Sequence, residues 1–290
     1  MKGYEESMLR NLKRLGRISF WAWLALAGPY AHAAPDTLDM GVFPYMSTRA
    51  LLDLYQPVRV YLSHELGKSV TLFTAQSFKA FTNETQQGIY DIVVTAPHFA
   101  RLAQREAGYV PLITHTRELS GLVVVPVDSP IHNLRELKGK RIATPNQLAL
   151  VTIMGYQLLR DDGLEPGTGV TLIDMTSHNN AVLAALSGEA DAAITEQVAL
   201  MQMPADIRNR VRIIAHTSPL PHVMYLAHRR LGQARIAQIK GALLRFPRTA
   251  AGQTFLKVSG FEGMRPVEED DLKNMDRYLP ELERLLAARP

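Results

Sequence analysis

The sequence predicts an α/β protein of two similar lobes, each a mostly parallel sheet with helices on both faces. Three observations carry this. Strand and helix signals alternate along most of the chain. One eight-residue template occurs twice, GIYDIVVT at 88–95 and GEADAAIT at 188–195: Gly, two variable residues, Asp, three apolar residues, Thr. Each copy follows a helical stretch, closes it with a glycine and continues into a short, continuously apolar run, as a strand buried on both faces does. Ligands of open α/β sheets lie beyond the carboxyl ends of the strands, so Thr95 and Thr195 are expected near one cleft.

The elements follow in order. TLDMGVFPY (37–45) reads as a strand running into a loop. ALLDLYQPVRVYLSHELG (50–67) repeats apolar residues at helical spacing and stops at Gly67, with Pro57 expected to kink or restart the helix. SVTLFTA (69–75) is a strand, 77–87 a helix and 91–95 a strand. Pro97 opens the helix HFARLAQREAG, which Gly108 ends. VPLITHT and LSGLVVVPV are strands. In HNLRELKGKRIATPNQ (132–147), Asn133 caps a short helix, Gly139 turns the chain and Arg141-Ile142-Ala143 is a strand. Thr144-Pro145-Asn146-Gln147 reads as a capping box opening a helix to Arg160. VTLIDM (170–175) is a strand, Ser177 caps a helix at 178–187, and 191–195, RIIAHT (212–217) and PHVMYLAHR (221–229) are extended. The last sixty residues have helical period, with loops at Ser259–Pro266 and Pro280. The chain is expected to pass between lobes near 121–127 and 217–225. Lobe 1 then comprises 34–121 and 222–290, and lobe 2 comprises 122–221.

The start of the chain differs from the rest. Lys2, Arg10, Lys13, Arg14 and Arg17 precede the apolar stretch ISFWAWLALA, and Ala31-His32-Ala33 is a small-x-small cleavage site. This is the layout of a signal peptide at 1–33, cut after Ala33, and it predicts a periplasmic protein. The net charge of +4 belongs largely to that leader, so nothing points to nucleic acid. With no cysteine there is no thiolate nucleophile, thiolate metal site or lipid-bearing terminal Cys. No H-E-x-x-H and no G-x-S-x-G motif is present, so no metal, cofactor or catalytic residue is expected.

YQPVRVYLSHELG (55–67), GIYDIVVTAPHFA (88–100), DSPIHNLRELKGKRIATP (128–145) and SHNNAVLAALSGEADAAI (177–194) stand in an order and spacing that resembles the phosphonate/phosphite-type periplasmic solute-binding proteins of ABC transporters. The resemblance covers about residues 37–230 and implies the two-lobed type II periplasmic binding protein fold. It implies a monomeric, non-enzymatic protein that holds a phosphonate, phosphite or other oxyanion-like solute between its lobes and delivers it to an ABC permease. The alternative is a periplasmic sensor presenting its bound state to a membrane kinase or cyclase. By position, the resemblance implies ligand contacts from Tyr45, from Thr95, Ala96, Pro97 and His98, from Asn146 and Gln147, and from His178 and Glu196. The chain departs from the family at the run after Pro145. Asn146-Gln147-Leu148-Ala149-Leu150 replaces a Ser/Thr-rich stretch that grips phosphonate oxygens. A dianion stripped of water needs several donors, so a carboxylated or amine-bearing organic molecule is an equal expectation.

Overall fold

The computed structural model describes residues 37–288, and the proposed leader with its cleavage point after Ala33 lies outside the described residues. In chain order the elements are β1 (Thr37–Val42), α1 (Thr48–Leu66), β2 (Ser69–Phe73), α2 (Phe78–Gln86), β3 (Ile92–Thr95), α3 (Pro97–Glu106), β4 (Tyr109–His115) and β5 (Gly121–Pro126). Next come β6 (Arg141–Thr144), α4 (Leu150–Asp161), β7 (Thr171–Asp174), α5 (His178–Ser187), β8 (Ala192–Glu196), α6 (Gln197–Gln202), α7 (Ala205–Arg208) and β9 (Val211–His216). The chain finishes with β10 (Met224–His228), α8 (Gly232–Arg245), α9 (Ala250–Ser259), β11 (Met264–Pro266), α10 (Glu269–Lys273) and α11 (Leu279–Ala287).

Two sheets result, ordered β11-β4-β10-β3-β1-β2 and β7-β6-β8-β5-β9. Without the short edge strand β11, they superpose in plan: β2-β1-β3-β10-β4 answers to β7-β6-β8-β5-β9. Each has a parallel core joined to one reversed strand, β10 in the first sheet and β5 in the second. The reversed strand is the one the chain enters directly from the other sheet, without a helical crossover to turn it. Both sheets are therefore mixed around a parallel core.

The repeated template occupies the same place in both sheets, and its aspartate explains the repetition. Asp91 donates its N–H to Asp39 O at 2.8 Å and accepts the Asp39 N–H on Oδ2 at 3.0 Å. Asp191 does the same to Arg141, at 2.8 Å in each direction. Each aspartate thus pins the neighbouring strand, at the third residue of β1 and at the first of β6, just before the ladder between the two strands begins, and fixes the register. The glycine three residues earlier has φ of 68° at Gly88 and 81° at Gly188, the left-handed turn that ends the preceding helix.

Three expectations change. Pro57 does not break α1, which runs unbroken from its Ser47 cap to Gly67. The carbonyl that Pro57 leaves unpaired is that of exposed Asp53, where water replaces the lost donor. The capping box at Thr144 does not form. Asn146 Oδ1 accepts the Leu148 N–H at 2.9 Å, Ala149 N–H bonds to Asn146 O at 2.8 Å, and this turn delays the helix to Leu150. Thr144 Oγ1 instead bonds Asp174 on β7 at 3.3 Å. The segment read as a loop at 259–266 also ends in β11, an edge strand on β4.

The sheets belong to one compact unit that begins at Thr37. Two segments, 116–120 and 217–223, carry the chain between them and pair through Leu119 and Leu220 in an isolated antiparallel bridge, at 2.7 and 3.0 Å. Helix α4 straddles the junction. Leu150, Val151, Ile153 and Met154 join the apolar core of the first sheet, whereas Leu159 packs in the core of the second.

Candidate functional site

Between the sheets lies a cavity of about 530 Å³ with walls from both. The first sheet contributes the β1–α1 loop (Phe43, Tyr45, Met46), Phe78 of α2 and the start of α3; the second contributes the starts of α4, α5 and α6. The crossing segments add Leu119, His222 and Val223, and the α9–β11 loop adds Phe261. Helix starts converge here because the strands feeding them end at the cleft, the arrangement expected of open α/β sheets.

Six of the nine residues expected at the site line this cavity: Tyr45, Ala96, Pro97, His98, His178 and Glu196. Tyr45 stacks on Phe43 with centroids 4.7 Å apart and donates its hydroxyl to Tyr55 at 3.3 Å. Glu196 is the N-cap of α6, its two oxygens accepting the N–H groups of Val198 and Ala199, each at 3.0 Å. Desolvation pushes its pKa up, although those N–H groups pull it down. His178 is the first residue of α5, below the Ser177 cap, and its Nδ1 is buried without a protein partner.

The other three stand apart from the cavity wall. Asn146 spends its side chain on its own turn, and Gln147 is exposed. Thr95 is 1% exposed and directed into the fold, with Oγ1 unpartnered. Its template counterpart Thr195 is likewise buried with Oγ1 unpartnered. It is the residue after each threonine, Ala96 or Glu196, that reaches the cavity.

Sequence reasoning passed over His222 and Phe261. His222 sits in the second crossing segment, where Pro219 and Pro221 mark an irregular passage. Its Nδ1 accepts the Val223 N–H at 2.8 Å, which leaves the ring proton on Nε2, a donor without a protein partner. Phe261 follows Gly260 and stacks on His115 with centroids 4.3 Å apart. A lone phenylalanine after a helix-ending glycine gives no signal of its destination in a linear reading.

His98 latches the two walls together. Fully buried, it hydrogen bonds through Nε2 to Leu148 O at 3.0 Å across the cleft and packs on Phe99 at 4.1 Å. Desolvation holds its pKa down to about 4, so the ring is neutral. Replacing His98 by Phe keeps the packing and strands the Leu148 carbonyl, a loss of about 1–3 kcal/mol. His98→Phe is expected to open the cleft, seen as a larger radius of gyration in solution scattering; an unchanged radius would show that the latch does not hold the walls.

A family model described as "ABC transporter, phosphonate, periplasmic substrate-binding protein" matches residues 40–272, well over half the chain. Among solved structures, a Xanthomonas citri protein bound to chloride ion aligns with a TM-score of 0.75 at 18% identity, covering 86% of this chain and 98% of that one. PhnD1 of Prochlorococcus marinus, in complex with methylphosphonate, aligns with a TM-score of 0.74 at 16% identity, covering 87% and 100%. A binding protein component of an ABC phosphonate transporter from Pseudomonas aeruginosa aligns at 0.70 and 14% identity, covering 87% and 98%. At these identities the structural likeness establishes the fold.

Proposed function

Because the chain belongs to the phosphonate-type family of periplasmic ABC-transporter substrate-binding proteins, we propose that it captures a small solute in the cavity between its sheets and delivers it to an ABC permease. The family is one of binding proteins, without enzymatic activity. Among the described residues no helix is long and apolar enough to cross a membrane. Export by the leader at 1–33, cut after Ala33, places the mature protein in the periplasm, and the lobes are 34–121 with 222–290 and 122–221.

The observation that carries this reading is a cavity walled from both sheets, with two chain segments, among the described residues, crossing between them. A solute touching both walls binds the closed state better than the open one and shifts the population toward it. The permease then reads the closed form. Tyr45, Ala96, Pro97, His98, His178 and Glu196 form the ligand contacts, with His222 and Phe261 added to them.

Native mass spectrometry of the protein from its own periplasm, followed by a thermal-shift screen, tests the reading. A true ligand at a hundred times its Kd stabilises the protein by about 2.7 kcal/mol. His178→Ala is expected to remove most of that gain while leaving the unliganded melting temperature within a few degrees. A full gain in the variant would displace the site. Vesicles carrying an ABC permease that co-purifies with the protein should accumulate the solute only with the protein present; co-purification with a membrane kinase or cyclase in place of a permease would instead establish a sensor.

A further inference from the structure

The cavity wall differs from what a compact dianion needs. No lysine or arginine lines it. The guanidinium of Arg117, close enough to act on His222 and Glu196, is already paired with Glu262 at 2.6 Å. The one carboxylate in the wall, Glu196, already accepts two N–H groups of its own helix. The three histidines in the wall are neutral, with desolvation holding His98 and His178 down to about 4 and His222 to about 3. The only charged side chain in the wall is thus capped before a ligand arrives, and the Arg117 guanidinium, outside the wall, is engaged through one nitrogen by Glu262 while its Nε–H is buried without a protein partner.

What the wall offers is apolar surface. Phe43 stacks on Tyr45 and meets Phe78 at 5.8 Å, and Phe261 faces from another loop, held against His115 and His222. Leu150 and Val151 come from the second sheet's side. They are the first two residues of α4. The buried polar atoms of the wall left without protein partners are His222 Nε2, a donor, and Nδ1 of His98 and of His178. A volume of about 530 Å³ is in the range that encloses organic ligands with ring-sized bodies.

We propose that the cavity takes an uncharged organic molecule with an aromatic or branched apolar body and one neutral hydrogen-bonding head, such as an amide or hydroxyl, and discriminates against phosphonate dianions. The proposal rests on the binding reading above and narrows it to a ligand class. The body fills the space between the Phe43/Phe78 and Phe261 walls, and the head accepts from His222 Nε2–H. A dianion placed there would lose its water and find no cation in the wall, with Arg117 behind it already paired to Glu262, a cost that neutral donors do not offset.

A matched set of probes separates the possibilities: phenylacetamide, phenethylammonium, phenylacetate, phenylphosphonate and methylphosphonate, titrated calorimetrically into the full-length mature protein. Phenylacetamide is expected to bind at least about tenfold more tightly than any charged probe with the same ring, since each charge must be desolvated without a partner. Phe78→Ala, at a half-buried position that folding tolerates, should weaken phenylacetamide about tenfold by removing one aromatic wall. Tightest binding by methylphosphonate or phenylphosphonate would overturn the ligand class and leave the binding reading intact, as would tightest binding by the ammonium or the carboxylate. Binding by no probe, with no change in radius of gyration, would overturn both.

Discussion

Lowering the pH from 7 to 4.5 is expected to destabilise the protein by several kcal/mol, steeply and before most carboxylates titrate. His98, His115 and His222 are 0%, 1% and 8% exposed, and desolvation depresses their pKa values from 6.5 to about 4, 4 and 3. Their folded-state values lie below the unfolded one. Their contribution is therefore complete above about pH 6.5 and is lost as the pH falls through the folded values, because the unfolded chain takes up the protons first. Within that window each histidine contributes a slope of at most about 1.4 kcal/mol per pH unit. Glu196 works against them: its raised pKa lets the folded state bind a proton on acidification. Asp271 lies outside the window, since Arg265 holds its carboxyl below 3.8 despite the upward push of burial. Denaturant unfolding at pH 7.5, 6.5, 5.5 and 4.5 measures the slope, and His98→Phe should reduce it by about one proton. A flat profile from 6.5 to 4.5 would mean that these rings reach water and titrate normally. It would also remove the ground for treating the cavity wall as neutral.

The fold was legible because it is written in local chemistry. Glycines at helix ends, apolar runs and the duplicated Gly-x-x-Asp gave two matching sheets, and the structure shows why the aspartate recurs: it sets register against Asp39 in one sheet and Arg141 in the other. The reversed strands β10 and β5 were not legible, since the direction in which a crossing strand enters a sheet depends on the other sheet's position. The capping box failed for a physical reason too: the asparagine that follows its proline closes its own turn before the helix starts. At the site, residues at helix starts were placed well, because strand ends and helix starts meet at the cleft in this topology. Asn146 and Gln147 were carried along by the same logic, but the extra turn moves the cap of α4 five residues on, from Thr144 to Ala149, and presents Leu150 and Val151 instead. His222 and Phe261 lie in irregular segments whose course only the tertiary structure determines.

Gly252→Ala is expected to be among the most destabilising single substitutions, although helix propensity alone argues the other way. Gly252 lies in α9 with its N–H bonded to Thr249 Oγ1 at 2.9 Å, and alanine is the better helix former by about 1 kcal/mol. A Cβ at this position would sit 1.9 Å from Phe246 O, 2.6 Å from Phe246 C and 3.0 Å from Pro247 Cα. These are backbone atoms and cannot turn aside, so α9 itself must lift. Overpacking of this kind costs about 3 kcal/mol or more, and for a chain of this size that lowers Tm by roughly 6–12 °C. The displacement also has a functional reading, because α9 delivers Val258, Ser259 and Phe261 to the cavity and packs Phe255 on Tyr55 at 5.6 Å. Gly252→Ala should therefore weaken ligand binding as well as stability. Gly241→Ala in α8 is the control: its Cβ would meet only the mobile end of Arg245 at 3.3 Å, and it should be neutral or stabilising by up to about 1 kcal/mol. Equal melting temperatures for Gly252→Ala and the parent would show that α9 has room to move, and with it the aromatic wall that Phe261 forms.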